Sequence, residues 1–132
     1  LGMILRSITA AGITGVIVPE RGCAPLGPLV AKASAGTLFH APVLRCGSSS
    51  EALDVLLQSG FTGYTLSGLA ESNFFEEQIA QKAFFVLGNE SEGVAPNIEA
   101  RCQAKVKIPM HNGVESLNVA ITAALIAYYL DR

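Results

Sequence analysis

The stretch IPMHNGVESLNVAITAALIAYYL, residues 108–130, guides the interpretation of the whole sequence. It runs from the end of an apolar strand, through a polar turn that contains Gly113, into a long apolar helix. Glu115, Ser116 and Asn118 stand where the turn becomes the helix, and the first N–H groups of a helix have no partners within it. A polar loop of this kind between apolar segments indicates a ligand site.

The composition indicates one folded domain. Of the 132 residues, 50% are hydrophobic and 15% are charged, which excludes a disordered chain. The net charge of −2 argues against a strongly basic nucleic-acid-binding module. It leaves open a local basic face, although ordinary solvated surface is the simpler explanation from charge alone. The four side chains in question are Arg6, Arg21, Lys32 and Arg45.

The cysteines and the apolar runs suggest where the protein works. Cys23, Cys46 and Cys102 are widely spaced and lack CxxC pairing, which fits a reducing compartment and argues against a zinc site. The longest nearly apolar run, residues 119–130, is too short to cross a bilayer, and we find no targeting leader. We therefore expect a cytoplasmic protein with neither a membrane partner nor a metal.

Hydrophobic periodicity predicts alternating helices and strands. The predicted helices cover residues 1–11, 29–35, 51–58, 72–81, 96–102 and 119–130. The predicted strands cover residues 15–18, 42–45, 63–66, 83–87 and 104–108. Gly12 and Gly60 are expected to end helices, and Ser50 to cap the helix that follows it.

This order of elements indicates an α/β fold: an open, mostly parallel sheet with helices on both faces. In such sheets the loops that follow the strands meet at one edge, where ligands bind. Loops 66–68, 88–93 and 110–118 should therefore form a pocket.

The residue types in these loops disfavour several kinds of site. Loop 88–93, GNESEG, lacks the lysine of a phosphate loop, and its carboxylates Glu90 and Glu92 make it a poor site for an anion. A tight turn with exposed acids is the alternative. Ser116 is not part of a GxSxG elbow, so we do not expect a hydrolase triad. Ser116 and Asn118 also fit simple helix capping.

Two further side chains have open interpretations. Arg6 lies on a helix that is otherwise apolar, where it serves either as an ion-pair partner or as a clamp for phosphate or carboxylate. His111 fits a loop residue better than a metal ligand, because no second ligand stands at helical or hairpin spacing.

Three stretches together resemble the SpoU (TrmH-like) family of RNA ribose 2′-O-methyltransferases, of the SPOUT superfamily. They are LGMILRS at 1–7, FVLGNESEG at 85–93, and IPM followed by ESLNVA between 108 and 120. APLGP at 24–28 and AKASAG at 31–36 are also similar to a segment between the first two motifs. The resemblance covers essentially all of residues 1–132. It implies a C-terminal trefoil knot, a rare exception to unthreaded connections.

The resemblance also implies a cofactor, S-adenosyl-L-methionine (AdoMet), held largely by backbone groups. The matching cofactor-binding positions are Leu66, Gly68, Leu87, Gly88, Ile108, Met110 and Leu117.

The implied reaction is attack of an RNA ribose 2′-hydroxyl on the AdoMet methyl group. The substrate is ribosomal RNA, with a large-subunit guanosine favoured, or tRNA. Arg6 matches the central catalytic arginine, and phosphate anchoring is its expected role because a guanidinium stays protonated. Glu90, Ser116 and Asn118 match catalytic positions that orient the ribose and hold the loops. The expected RNA-binding residues are Arg6, Arg21, Lys32 and Ser34.

The family carries an asparagine just before the position of Leu1, preceded by the first strand of the sheet, and many relatives add an N-terminal RNA-binding domain. We expect residues 1–132 to be a catalytic domain without these parts. Two alternatives remain: a module or inactive fragment that binds AdoMet or RNA without turnover, and an unrelated doubly wound nucleotide-binding domain.

The resemblance further implies a homodimer formed through the first and last helices. A stripe of small side chains on the last helix, next to Tyr128, suits close packing between subunits, and an intramolecular core is the alternative. The stripe consists of Ala120, Ala123, Ala124 and Ala127.

Overall fold

The computed structural model describes residues 2–13, 15–20, 43–88 and 93–130. The helices are α1 (Gly2–Ala10), α2 (Ser49–Gln58), α3 (Pro96–Glu99) and α4 (Val119–Leu130). The strands are β1 (Val16–Pro19), β2 (Val43–Cys46), β3 (Thr62–Leu66), β4 (Ser72–Asn73), β5 (Ala83–Val86) and β6 (Ala104–Lys107). The helix predicted over residues 29–35 lies outside the described residues.

The strands form two parallel sheets. β1 pairs with β2, and the other sheet has the order β4-β6-β3-β5. All strand pairings within the described ranges are parallel, which confirms the predicted α/β class. The single open sheet that we predicted is thus seen as two sheets.

The chain divides into two compact units, one of residues 1–52 and 118–132 and the other of residues 53–117. In the first unit α1 packs against α4. Apolar side chains of both helices are buried there: Leu5, Ile8, Ala120, Ala123, Ile126 and Ala127. Most of the small-residue stripe of α4 therefore fills the unit's own core, as the intramolecular alternative proposed.

An aromatic cluster forms the core of the second unit. Tyr64 and Phe74 are 4% and 0% exposed. The Tyr64 ring stacks on Phe85 with ring centroids 5.3 Å apart, and Phe74 meets Phe85 edge-on at 5.8 Å. The backbone N–H of Ala80 donates a hydrogen bond of 3.0 Å to the Tyr64 hydroxyl. This bond ties the segment before β5 to the middle of β3.

Two helices end at glycine, as predicted. Gly12 and Gly60 have φ angles of 79° and 86°, in the left-handed region. After α1 the N–H groups of Gly12 and Ile13 donate to the carbonyls of Thr9 and Ile8, at 3.1 and 3.2 Å. The same pair of bonds follows α2, at 3.2 and 3.0 Å. Both ends are Schellman motifs, in which glycine avoids a steric clash of Cβ.

The start of α2 differs from the prediction. The hydroxyl of Ser48 accepts a hydrogen bond of 3.3 Å from the Glu51 N–H, and the Glu51 carboxylate accepts one of 3.2 Å from the Gly47 N–H. Ser48 is therefore the N-cap, whereas Ser50 lies inside the helix. The sequence has three consecutive serines, and only the first of them is positioned to accept this bond.

The helix predicted over residues 72–81 is wrong. The segment forms the short strand β4 and then turns. The Asn73 side chain accepts a hydrogen bond of 2.9 Å from the Phe75 N–H, and the Phe74 N–H donates to the Lys107 carbonyl at 2.7 Å. Asparagine competes with helix formation through such local bonds. Pairing with β6 and burial of Phe74 then fix the extended form.

The remaining predicted strands are confirmed to within one residue at each end. β1 includes Pro19 as its last residue, and the next N–H, that of Glu20, donates to the Cys46 carbonyl at 2.8 Å. α3 is shorter than the predicted 96–102. Within the described ranges, every helix is too short or too polar to span a lipid bilayer.

Tyr64→Phe should lower the free energy of unfolding by about 1 kcal/mol, because it leaves the Ala80 N–H without its acceptor while keeping the ring stack. Urea denaturation measures the change. Thr65→Val is the control, since this buried hydroxyl on the same strand has no hydrogen-bond partner among the described residues. An equal loss of stability in both variants would contradict the assigned role of the Tyr64 hydroxyl.

Candidate active site at the sheet edge

Three strands of the four-stranded sheet end together. Thr65 of β3 pairs with Val86 of β5, and Leu66 pairs with Val106 of β6. Because the strands are parallel, the residues that follow them lie along the same edge of the sheet. The structure thus brings the starting points of the three predicted loops to one edge of the sheet.

The loop after β3 is fixed by Ser67. Its N–H donates to the Val106 carbonyl at 3.0 Å, and its own carbonyl accepts from the Ala70 N–H at 3.1 Å. Its hydroxyl accepts from the Leu69 N–H at 3.2 Å. Within this turn Gly68 is exposed, and a methyl group added there would meet no atom within 4 Å. The loop is therefore held rigidly at Ser67 while the space beside Gly68 stays open.

The loop after β5 is closed at its base by contact between backbones. A methyl group added at Gly88 would collide with the backbone of Gly93 and lie 2.6 Å from the nitrogen of Val94. Only glycine allows this approach. Gly93 itself has a φ angle of 70°. Residues 89–92, which include Glu90, lie outside the described residues.

The segment after β6 is the opening stretch of the sequence. Ile108 and Met110 are partly buried, and residues 111–118 are exposed. The Val114 N–H donates to the His111 carbonyl at 3.2 Å, and the two residues between them, Asn112 and Gly113, have φ angles of 59° and 79°. Positive φ at both central residues is typical of a type I′ turn.

Asn118 caps the last helix. Its side-chain oxygen accepts a hydrogen bond of 2.7 Å from the Ala120 N–H, and its carbonyl accepts one of 3.0 Å from the Thr122 N–H. The capping interpretation of Asn118 is therefore correct. The exposed Ser116 hydroxyl takes no part in the cap and has no hydrogen-bond partner among the described residues.

The predicted site residues fall into three groups. All seven predicted cofactor positions and Ser116 belong to the unit of residues 53–117, whereas Arg6 and Asn118 belong to the other unit. The remaining predicted residues lie outside the described ranges: Arg21, Lys32, Ser34 and Glu90.

Arg6 is exposed on α1. The ion pairs that the structure shows in its described part are Arg101 with Asp54 and Lys105 with Glu99. The interpretation of Arg6 as an ion-pair partner therefore finds no support among the described residues. Its guanidinium has no hydrogen-bond partner among them either.

The edge suits a ligand that is held by backbone groups and apolar contacts. Seven residues at or just after the three strand ends are uncharged: Leu66, Ser67, Gly68, Leu87, Gly88, Ile108 and Met110. The last residue of β6, Lys107, is charged. The described residues contain no group of three His, Cys, Asp or Glu side chains arranged for a metal ion.

Burial raises the pKa of the Cys102 thiol, and Glu99 adds to the shift while Arg101 opposes it. That thiol therefore stays protonated at neutral pH and is a poor nucleophile.

Two features of the edge were missed from the sequence. The bracing role of Ser67 could have been suspected, since a Ser-Gly pair directly after a strand marks a turn. The contact between Gly88 and Gly93 has no local signal, because it depends on where the loop returns.

Comparison of the sequence with known proteins shows which family the chain resembles. The sequence profile of the SpoU rRNA Methylase family matches residues 1–128. A Staphylococcus epidermidis protein named for the TrmH family of tRNA/rRNA methyltransferases is 34% identical over 132 residues, which are 100% of this chain and 53% of that protein.

Solved structures agree. A crystal structure of an RNA 2′-O ribose methyltransferase superposes with a TM-score of 0.85 and 33% identity, over 96% of this chain and 48% of that one. The SpoU methyltransferase AviRb from Streptomyces viridochromogenes, in complex with AdoMet, gives a TM-score of 0.87 and 28% identity, over 98% of this chain and 53% of that one.

The parallel α/β fold with its loops at one sheet edge is thus the fold of the SpoU-type methyltransferases. The chain belongs to the SpoU rRNA Methylase family, which confirms the resemblance found in the sequence. It spans about half the length of the relatives described above, 53% in the case of the S. epidermidis protein.

Gly88→Ala should lower the free energy of unfolding by roughly 1–3 kcal/mol, because the added methyl group forces apart two backbone segments. Gly68→Ala should change it by less than about 0.5 kcal/mol, because the added methyl group meets open space. Thermal and urea denaturation of the two variants provide the comparison. If both glycines tolerate alanine equally, the close approach at Gly88 does not hold in solution.

Proposed function

We propose that the chain is the catalytic domain of an AdoMet-dependent methyltransferase that modifies a ribose 2′-hydroxyl in RNA. One observation carries the proposal: all seven cofactor positions fall in one compact unit, in a chain whose family match covers residues 1–128. The 2′-O-methyltransferase structure with a TM-score of 0.85 supports the choice of ribose as the acceptor.

The residues of the sheet edge fit AdoMet. Leu66, Leu87 and Ile108 offer apolar contacts, and the open space beside Gly68 leaves the backbone accessible. The uncharged residues that follow the three strands accept a cation or a neutral group. When bound, AdoMet supplies a methyl group on a positively charged sulfonium. The relative AviRb was crystallised with this cofactor.

We assign Arg6 to the RNA phosphate. A guanidinium stays protonated in proteins, so it anchors an anion and does not remove the hydroxyl proton. Its exposure, without an ion-pair partner among the described residues, supports this role. Glu90, by its position in the motif, serves to hold the loop, while Arg21, Lys32 and Ser34 contact RNA.

Ser116 and Asn118 orient the ribose in this proposal. The Ser116 hydroxyl is exposed and unpaired among the described residues, so it is available to a substrate. Asn118 uses its side-chain oxygen in the cap of α4, which fixes the orientation of the amide. Its NH₂ group then remains as a donor, so it serves as a positioning group that the helix itself holds in place.

We also infer the trefoil knot of the family. β6 lies between β3 and β4, although it follows both in the sequence. Leu66 and Ser72 both pair with Val106, and only residues 67–71 join them. With strands about 4.8 Å apart, this connection crosses about 10 Å and passes over β6. Parallel connections usually need a dozen or more residues. A chain that leaves β6 beneath so short a bridge is consistent with threading.

For the substrate we favour ribosomal RNA, with a large-subunit guanosine preferred, and keep tRNA as the second choice. The competing proposal is a module that binds AdoMet or RNA without turnover. We place the protein in the cytoplasm, where RNA substrates occur and where thiols such as those of Cys46 and Cys102 stay reduced.

We propose in addition a homodimer that uses an exposed apolar stripe on α4. Ile121, Leu125 and Tyr128 are 49%, 38% and 54% exposed, at the i, i+4 and i+7 positions of one helix face. Met3 on α1 adds a side chain that is 60% exposed. Apolar surface of this kind on a helix face marks an interaction site.

Arg6→Ala should reduce methyl transfer about a hundredfold, because the substrate loses the group that holds its phosphate in register. Calorimetry should show unchanged AdoMet binding, since Arg6 is not among the seven proposed cofactor positions. Lys82→Ala is the control, as an exposed cation outside both the proposed site and the possible basic face. Equal loss of binding and turnover would contradict the role of Arg6.

The same assays separate the proposed functions. The full-length protein and residues 1–132 should both bind AdoMet, and the full-length protein should transfer labelled methyl groups to ribose in ribosomal RNA or tRNA. Binding without transfer by the full-length protein would favour the non-catalytic module. A folded protein that shows no AdoMet binding would overturn the cofactor assignment.

Leu125→Glu should shift the protein from dimer to monomer, because it introduces a charge in the middle of the exposed stripe. Light scattering coupled to size exclusion measures the mass. Val55→Glu is the control, since Val55 is 63% exposed on α2 and lies outside the stripe. Dissociation by both variants, or a monomeric parent protein, would exclude this interface.

A further inference from the structure

We propose that Asn112 is a site of spontaneous deamidation, at which the Asn112–Gly113 linkage converts to aspartate and isoaspartate. The pair forms the centre of the turn between β6 and α4, and both residues are exposed. Nothing in the proposed function uses the Asn112 side chain.

The chemistry needs only water. The backbone nitrogen of Gly113 attacks the side-chain carbonyl carbon of Asn112, a new C–N bond forms, and the amide nitrogen leaves as ammonia with the proton from the backbone. The resulting cyclic imide is then opened by water at either carbonyl. One opening gives aspartate, and the other gives isoaspartate, in which the main chain runs through the former side chain.

Two features would hinder this attack: a bulky side chain on the residue after the asparagine, and hydrogen bonds to the reacting groups. The turn has neither among the described residues. Gly113 has no side chain, and a methyl group added there would meet no atom within 4 Å. Neither the Gly113 N–H nor the Asn112 amide has a hydrogen-bond partner among the described residues, so both reacting groups are free. Asn112 is also the one non-glycine residue of the described chain with a positive φ.

The other described asparagines lack this combination. Asn73 precedes Phe74, whose N–H is bound to the Lys107 carbonyl at 2.7 Å. Asn97 precedes Ile98, whose N–H is bound to the Ala95 carbonyl at 3.0 Å. Asn118 precedes the β-branched Val119, and its side-chain oxygen is held by the Ala120 N–H. Asn73 and Asn97 are therefore followed by a backbone N–H that is already hydrogen-bonded. Asn118 is followed by a bulky residue, and its own side chain is held in place.

Deamidation changes the segment in two ways. Both products place a carboxylate in the turn, and isoaspartate also lengthens the main chain between Met110 and Leu117. These two residues carry proposed AdoMet contacts, so a loss of AdoMet affinity on ageing is expected. That second consequence rests on the proposed function, whereas the modification itself does not.

The test is to age the full-length protein at mildly alkaline pH and map its tryptic peptides by mass spectrometry. Cleavage after Lys107 yields a peptide with both Asn112 and Asn118, so the second residue is an internal control. We expect the mass gain of an amide converted to an acid at Asn112, with Asn118 unchanged. A synthetic peptide of residues 108–118 shows the reaction without the fold. Retention of the amide in the protein, under conditions that deamidate the peptide, would overturn the proposal.

Two variants complete the design. Asn112→Gly accepts the positive φ and has no amide, so its AdoMet affinity should survive ageing, whereas that of the parent protein declines. Freshly prepared Asn112→Asp, which has not yet formed isoaspartate, adds the charge without lengthening the main chain and separates the two effects. Parent affinity that stays constant while isoaspartate accumulates would refute the effect on the cofactor. Fresh protein that does not bind AdoMet would refute the proposed function and leave the mass result valid.

Discussion

The backbone pairing of β6 with strands on both of its sides is the constraint on which the unit of residues 53–117 depends. Val106 pairs with Leu66 on one side and Ser72 on the other, and it is fully buried. Ser67 and Phe74 extend this pairing through their N–H groups, which bind the carbonyls of Val106 and Lys107. The sheet edge therefore inherits its geometry from β6, because loops on either side are bonded to it.

The candidate site follows from this arrangement and needs few specialised side chains. Ser67 braces one loop, and the close approach of Gly88 to Gly93 closes another. The third segment ends in the cap that Asn118 provides for α4. Polar backbone groups and short polar side chains thus hold each loop near its ends, and the apolar residues at the strand ends remain available for contacts with a ligand.

Local signals predicted much of the fold. Apolar periodicity and a terminal glycine defined α1, a terminal glycine helped to define α2, and continuous apolar runs defined β1 and β5. β4 could not be found in this way, because a two-residue strand exists only through its pairing with distant β6. The strand ends of the site were also predictable, since they follow from strand positions. The contact of Gly88 with a returning loop was not, as it depends on tertiary structure.

The position of β6 has a consequence for synthesis. β3 and β4 leave the ribosome before β6, yet the space between them belongs to a strand that is made about thirty residues later. The two neighbours cannot pair with each other in the meantime without blocking that space. Apart from the pairing of β3 with β5, sheet formation in this unit must therefore wait for residues 104–107. Until then residues 72–73 have no strand to pair with, so β4 forms only after β6 has been made.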